Sequence, residues 1–463
     1  MAPAVIDTFI VDAIKVSTLK FTLPLDHARP AGAALSVVAK VVNNYKYNHN
    51  NNSNNHQTFD KEKDISNKVI LFLQGGPGFP SVTPTSKSTP PFLQPLLARD
   101  YTVILLDQRG TGLSTPLDAD LILSKGADAK GQFEFIKHFR ADSIVNDCEL
   151  IRQQLLQPDA KWSLLGQSFG GFTSISYMSM YPESLSAVFL TGGLAPIQIT
   201  SVDDVYHATY QRTMQRNRAY YTKFPQDVER VNFIVQYLAH NDVTLSNGGK
   251  LTVDRFRALG LTFGGGGGTL SLHNLVTLMY MELQTNACLS YGTKTNVMNY
   301  LGFETNPLYF LFQEAIYING PGIKSGWSAQ RILDYHKRHN VNDDNSAASP
   351  FIFTGEIVTP EMLHSHSELA KLAPLANYIH QHDDWSHIYN LTNLTKVKWD
   401  TLPCVAQVYL DDQYVDYELG MRNTELFEFK PIITNQLFHD GVRQAAAEVV
   451  DGLHRVLEQG EYM

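Results

Sequence analysis

The chain has 463 residues, 43% of them hydrophobic and 18% charged, and a formal net charge of −9. That is ample for a large core, either one big domain with an insertion or two to three domains, and the acidic balance argues against nucleic acid as a partner. Three cysteines, Cys148, Cys288 and Cys404, are too few and too widely spaced for a disulfide framework or a zinc site, and no apolar run approaches membrane-spanning length.

The N-terminus, MAPAVIDTFIVDAIKVSTLKF, carries acidic residues early and has no basic start leading into an unbroken apolar stretch. It reads as lacking a signal peptide, so a reducing, cytoplasmic setting is expected and the sequons at Asn51, Asn390 and Asn393 carry no weight. An apolar run at 34–42 precedes the asparagine-rich stretch 43–57. Such polar low complexity cannot bury a core and predicts a disordered loop between two strands. The second of those strands is KVILFLQ at 68–74, and further runs follow at 101–108, 162–167 and 187–193. Each is short, continuous and rich in Val, Ile and Leu, with helix-capable stretches such as 142–156 between them. That alternation predicts an α/β fold, a mostly parallel sheet covered on both faces. Residues 201 to about 395 are tyrosine-rich and helical in pattern. The glycine run FGGGGGT at 263–269 has no phosphate-loop context and reads as a flexible connection. Sheet-like runs resume at 403–410 and 429–436, and an amphipathic helix follows from 441. The expected organisation is a core of residues 1–200 and 396–463, interrupted by a helical cap at 201–395.

One pentapeptide gives this layout a chemistry. Gly166-Gln167-Ser168-Phe169-Gly170 is a G-x-S-x-G sequence between a strand-like run and a helix-like run, Phe172 to Met180. A serine at such an elbow is held out at the C-terminal edge of the sheet. Serine needs a base to take its proton, and the base needs a third group to orient it. In this fold the acid follows a late strand and the histidine follows the last one. Asp411 and Asp412 end the run at 403–410, and His439 lies just past 429–436. The oxyanion requires two backbone N–H donors. Phe169 supplies one, and Gly75 or Gly76 in FLQGGPGFP (72–80) supplies the other. Asp107 and Arg109 in DQRGTGLS come too early for the triad acid and read as a structural pair bracing the oxyanion loop.

Taken together, QGGPG, LLDQRGTGLST, GQSFGG and TNQLFHDG resemble the proline iminopeptidases, or prolyl aminopeptidases, over about residues 65–195 and 305–445, most closely the longer members. Gln74 stands where many of that family have histidine, and the asparagine-rich insert looks peripheral. The resemblance implies an α/β-hydrolase with Ser168 as nucleophile and His439 as base. The family's DxYV acid falls on Asp412, with Asp411 as the fallback. It implies that Glu314 and Glu356, in cap segments 306–317 and 353–362, hold the substrate's amine. Tyr309, Phe310, Phe312 and Tyr317 are either walls for a proline ring or ordinary core. The expected substrates are peptides with a free N-terminal proline, cleaved without metal or cofactor. The rivals are an esterase or other amide hydrolase on the same fold, and a non-catalytic binding protein. The oligomeric state stays open.

Overall fold

A computed structural model describes residues 2–45, 58–300, 302–339 and 349–460. Its centre is a nine-stranded sheet in the order β1-β2-β3-β5-β4-β6-β7-β8-β9. The strands are β1 (Ala4–Val11), β2 (Ile14–Pro24), β3 (Ala34–Asn44), β4 (Val69–Leu73), β5 (Thr102–Asp107), β6 (Trp162–Gln167), β7 (Leu185–Thr191), β8 (Cys404–Tyr409) and β9 (Lys430–Thr434). Pairing is antiparallel from β1 to β3 and between β3 and β5, and parallel from β5 through β9.

The parallel strands read as unbroken apolar runs because both faces are covered. Ile70 and Phe72 join one core with Leu93, Leu96 and Leu97 and with the C-terminal helix Ala446–Gln459. Leu71 and Leu73 point the other way, into a core shared with the helices Ala141–Leu155 and Phe169–Met180. The α/β-hydrolase arrangement expected from the sequence is present. The helix expected from 441 is broken at Ala445, where Gly441–Gln444 gives way to Ala446–Gln459.

The opening hairpin of β1 and β2 has no counterpart in the sequence reading. Its turn is Asp12-Ala13, both at positive φ, 48° and 58°. That backbone normally advertises itself with Asn-Gly or Asp-Gly, neither of which stands at this turn. Of the asparagine-rich stretch, Asn43 and Asn44 close β3. The loop expected there otherwise falls at 46–57, outside the described residues. Between β7 and β8 the chain runs through helices from Val202 to Leu394, including Val202–Lys223 and Gly268–Asn286. Parts of this segment meet the loops at the C-terminal ends of the parallel strands, where α/β sheets place their sites: Gly264 accepts from the His439 N–H, and Leu308 and Tyr309 lie against Gly78 after β4. Its end, Ile388 and Asn390, instead runs along the Phe169–Met180 helix.

Candidate active site

Ser168 follows β6 directly and opens the Phe169–Met180 helix with φ 55° and ψ −127°. This is a left-handed conformation that a non-glycine residue adopts only when its surroundings enforce it. The enforcement comes from close packing at Gly170, where a Cβ would stand 1.9 Å from the Leu73 carbonyl oxygen. Phe169 is the first residue of the helix, so its N–H has no carbonyl one turn back and is free for a ligand. The loop after β4 lies against this elbow. A Cβ on Gly75 would come 2.8 Å from the Ser168 Cβ and 3.4 Å from its Oγ. Gly76 follows it in the same loop.

The loops after β8 and β9 bring the other two side chains together. His439 Nδ1 lies 2.7 Å from Asp412 Oδ2. Asp412 is held in turn by the Tyr414 N–H, which donates to its Oδ1 at 2.8 Å. Asp411 contributes its carbonyl to Arg216 instead. Of the two adjacent aspartates, Asp412 is the one whose carboxylate meets His439. An ionised carboxylate at Nδ1 keeps the proton on that nitrogen and leaves Nε2 as the basic one. Burial opposes charging His439, but Asp412, Glu356 and Asp440 outweigh it and raise its pKa above the usual value.

Two glutamates of the helical segment lie on the same side. Glu356 is partly accessible. Burial pushes its carboxyl up, against a hydrogen bond from Tyr309 and the nearby His439. Tyr309 donates to it at 2.6 Å. Glu314 is fully buried, and its oxygens accept from the Ser328 and Ala329 N–H groups at 3.0 and 2.9 Å. His380 Nδ1 stands 3.0 Å from the same carboxylate. Glu314 therefore caps the helix Ser328–His339, a use the sequence gave no hint of. Both carboxylates share a neighbourhood. Tyr206 and Tyr317, whose phenols are held up first by burial, feel Glu314 and Glu356 alike.

The four aromatic candidates divide. Phe312 lines a small, mostly apolar cavity with Pro77, Phe139, Phe169, Ile316 and Ile388. Phe310 packs on Trp327, and Tyr317 on Phe172 and Tyr206. Tyr309 meets Phe79 of the loop after β4 edge to face at 5.1 Å.

Two expectations need correction. Asp107 and Arg109 are not paired with each other. Asp107 takes Lys40 from the neighbouring strand at 3.0 Å, while Arg109 reaches Asp147 of the Ala141–Leu155 helix. They diverge because Asp107 is the last residue of β5 whereas Arg109 lies in the turn that follows it. Asp107 does brace the loop, since it accepts the Ser81 N–H at 3.1 Å. The glycine run is not a free connection either. The His439 N–H donates to Gly264 O at 3.1 Å, and the Gly266 N–H to Asp440 Oδ1 at 3.0 Å. Gly264 also touches the Tyr414 ring, which sits 4.7 Å from the His439 ring. Gln74 is engaged as well. Arg443 donates to its Oε1 and to Gln167 Oε1, tying the loop after β4 to the elbow strand.

A family model described as the alpha/beta hydrolase fold matches residues 68–255. The chain is 34% identical over 451 residues to the proline iminopeptidase of Aeromonas sobria, covering 97% of this chain and 98% of that protein. It is 33% identical to the proline iminopeptidase aneH of Aspergillus aculeatus, covering 99% and 98% respectively. Among solved structures, the proline iminopeptidase of Mycobacterium smegmatis is 13% identical, with 96% of this chain and 100% of that chain covered and a TM-score of 0.37.

Proposed function

The chain belongs to the proline iminopeptidase family of α/β-hydrolases, and from that premise we propose that it is a serine exopeptidase releasing N-terminal proline from peptides. Ser168 Oγ attacks the carbonyl carbon of the first residue while His439 Nε2 takes its proton. Asp412 holds the imidazole in the required tautomer and stabilises the imidazolium. The N–H groups of Phe169 and of Gly75 or Gly76 receive the oxyanion. His439 then protonates the departing amine, and water hydrolyses the acyl-enzyme by the same route.

The observation that carries the exopeptidase reading is Glu356, a carboxylate within the field of His439 and Asp412. An ester or an internal peptide bond needs no anion there. A free ammonium leaving water does, because it loses strong hydration that only charge and hydrogen bonds replace. Glu356 contacts the ammonium directly, and Glu314 adds a second negative charge behind it. In this reading residues 201–395 act as a cap that closes the site over the N-terminus.

The test compares prolyl p-nitroanilide, N-acetylprolyl p-nitroanilide and p-nitrophenyl acetate. The blocked substrate leaves the carboxylates desolvated and unpaired, so its kcat/KM is expected to fall about 10²- to 10³-fold below the free one. Glu356→Gln and Glu314→Gln are expected to lower the ratio of prolyl amide to ester turnover. An unchanged ratio in both variants removes these glutamates from the amine site. Efficient cleavage of the N-acetyl substrate by wild type makes the protein a general amide hydrolase or esterase instead. Failure of a fluorophosphonate probe to label Ser168 makes it a binding protein.

A further inference from the structure

Arg443 takes no part in the steps above, yet one of its nitrogens joins the segments that carry them. Its Nη2 donates to Gln74 Oε1 at 3.1 Å and to Gln167 Oε1 at 2.7 Å. Such a nitrogen has two N–H bonds, so each glutamine receives one. Gln167 is the last residue of β6 and precedes Ser168, while Gln74 follows β4 and precedes Gly75. β4 and β6 are parallel neighbours whose pairing ends at Leu73 and Gly166, which puts the two glutamines side by side at the C-terminal edge of the sheet. By strand alternation they follow Ile70 and Phe72 in one strand and Leu165 in the other, toward the face covered by the C-terminal helix. Arg443 comes from that face. It lies in Gly441–Gln444, just ahead of that helix and four residues after His439.

The glutamines are 8% and 4% exposed, so an amide oxygen that loses its donor there is costly and follows the guanidinium. The main chain of Gln74 is held separately, since Gln108 donates from Nε2 to its carbonyl at 2.9 Å. Beyond the last strand pair, Arg443 is a hydrogen-bonded tie between the two segments that supply the oxyanion donors, Phe169 on one and Gly75 or Gly76 on the other. We propose that Arg443 is a positioning residue that sets the separation of those two donors, through Gln167 and Gln74. The proposal rests on the serine-hydrolase part of the reading above and deepens it. Arg443 acts through two amides and not on the reacting atoms, and because it stands in the loop of His439 it also keeps the base in register with the hole.

The experiment uses pyrrolidine-2-boronic acid, which presents a free amine and becomes tetrahedral on a serine oxygen, so its affinity follows the fit of the oxyanion donors. Rates are taken per site titrated with a fluorophosphonate. Arg443→Met is expected to lower kcat for prolyl p-nitroanilide about 30-fold, less than the loss of a whole oxyanion donor, with KM within about threefold. The inhibition constant of the boronic acid is expected to rise by the same factor. A role in stability alone lowers the melting temperature and the number of titrated sites but leaves both quantities per site unchanged. Gln167→Met, similar in size and lacking the acceptor, is expected to give the same pattern, and the double variant is expected to lose no more than about threefold beyond the worse single one. Should Arg443→Met not yield folded protein, Gln74→Met with Gln167→Met gives the same comparison. Boronic acid inhibition within threefold of wild type, or losses that multiply in the double variant, overturn the assignment of Arg443 while leaving the serine-hydrolase reading intact. A wild-type protein that neither turns over prolyl p-nitroanilide nor binds the boronic acid overturns that reading, and this proposal with it.

Discussion

In the proposed mechanism His439 governs the pH at which the site works. Only neutral imidazole accepts the serine proton, and Asp412, Glu356 and Asp440 raise its pKa above 6.5 despite burial. A raised pKa keeps the base protonated to higher pH, so kcat/KM for prolyl amides is expected to decline on the acid side from a point above about 6.5. A profile flat down to pH 5 contradicts that. Removing the charge by Asp412→Asn should cost about 10⁴-fold in kcat, because an amide favours the wrong tautomer. Asp411→Asn, acting at a residue whose carbonyl accepts from Arg216 and whose carboxylate makes no hydrogen bond to His439, should stay within about threefold. Equal losses in the two variants would reverse the assignment. Ser168→Ala should lower kcat by about 10⁴-fold or more with the melting temperature nearly kept. A residual rate above a tenth of wild type, in peptidase-free protein, rules Ser168 out.

At the level of elements, the site depends on a segment the sequence disguises. The 3₁₀ turn Ala258–Gly264 and the glycines after it bind the loops that carry Asp412 and His439. Gln413 donates to Gly260 O at 3.0 Å, Tyr414 to Leu261 O, and the His439 N–H to Gly264 O. Glycine is required at 264 because a Cβ would lie 2.1 Å from Tyr414 Cζ. Gly264→Ala should therefore push Tyr414 onto His439 and cost about 10²-fold in kcat, the usual penalty for a misplaced catalytic group. Circular dichroism should stay as in wild type. Activity within threefold of wild type shows that this contact does not position the base. From the sequence a glycine run signals only permissive backbone. What it packs against is decided by residues some 150 positions later.

On the scale of the whole molecule, sheet and helical segment are joined by buried ions. Arg140, at the start of the Ala141–Leu155 helix, donates to the carbonyls of Ala315 and Ile318 at 2.8 and 2.6 Å. Its guanidinium lies over Trp385 at 4.4 Å. Burial lowers its pKa to about 10, still charged at neutral pH. Arg140→Met takes the Arg140 donor from the Ile318 carbonyl and one of two donors from the Ala315 carbonyl, which keeps the Ile318 N–H, within four residues of Glu314. The expected cost is about 3 kcal/mol, read as a lower melting temperature, together with a raised KM for prolyl amides. An unchanged KM separates the anchor from the substrate site.

The parallel strands, the elbow and the order of serine, acid and histidine are legible in the chain itself, because each rests on local signals. Continuous Val, Ile and Leu runs appear where both faces of a strand are buried, and Gly166-Gln167-Ser168-Phe169-Gly170 is the local demand of a strained turn. Which of two adjacent aspartates faces His439 is a matter of where one loop points, and the Tyr414 N–H on Asp412 settles it only after folding. The partners of Asp107 and Arg109, the capping of the Ser328–His339 helix by Glu314, and the joint hold of Arg443 on Gln74 and Gln167 are equally beyond local reading. A side chain's chemistry is written in its residue type, but the groups that compensate its charge and satisfy its hydrogen bonds come from distant segments, and only the tertiary structure brings them together.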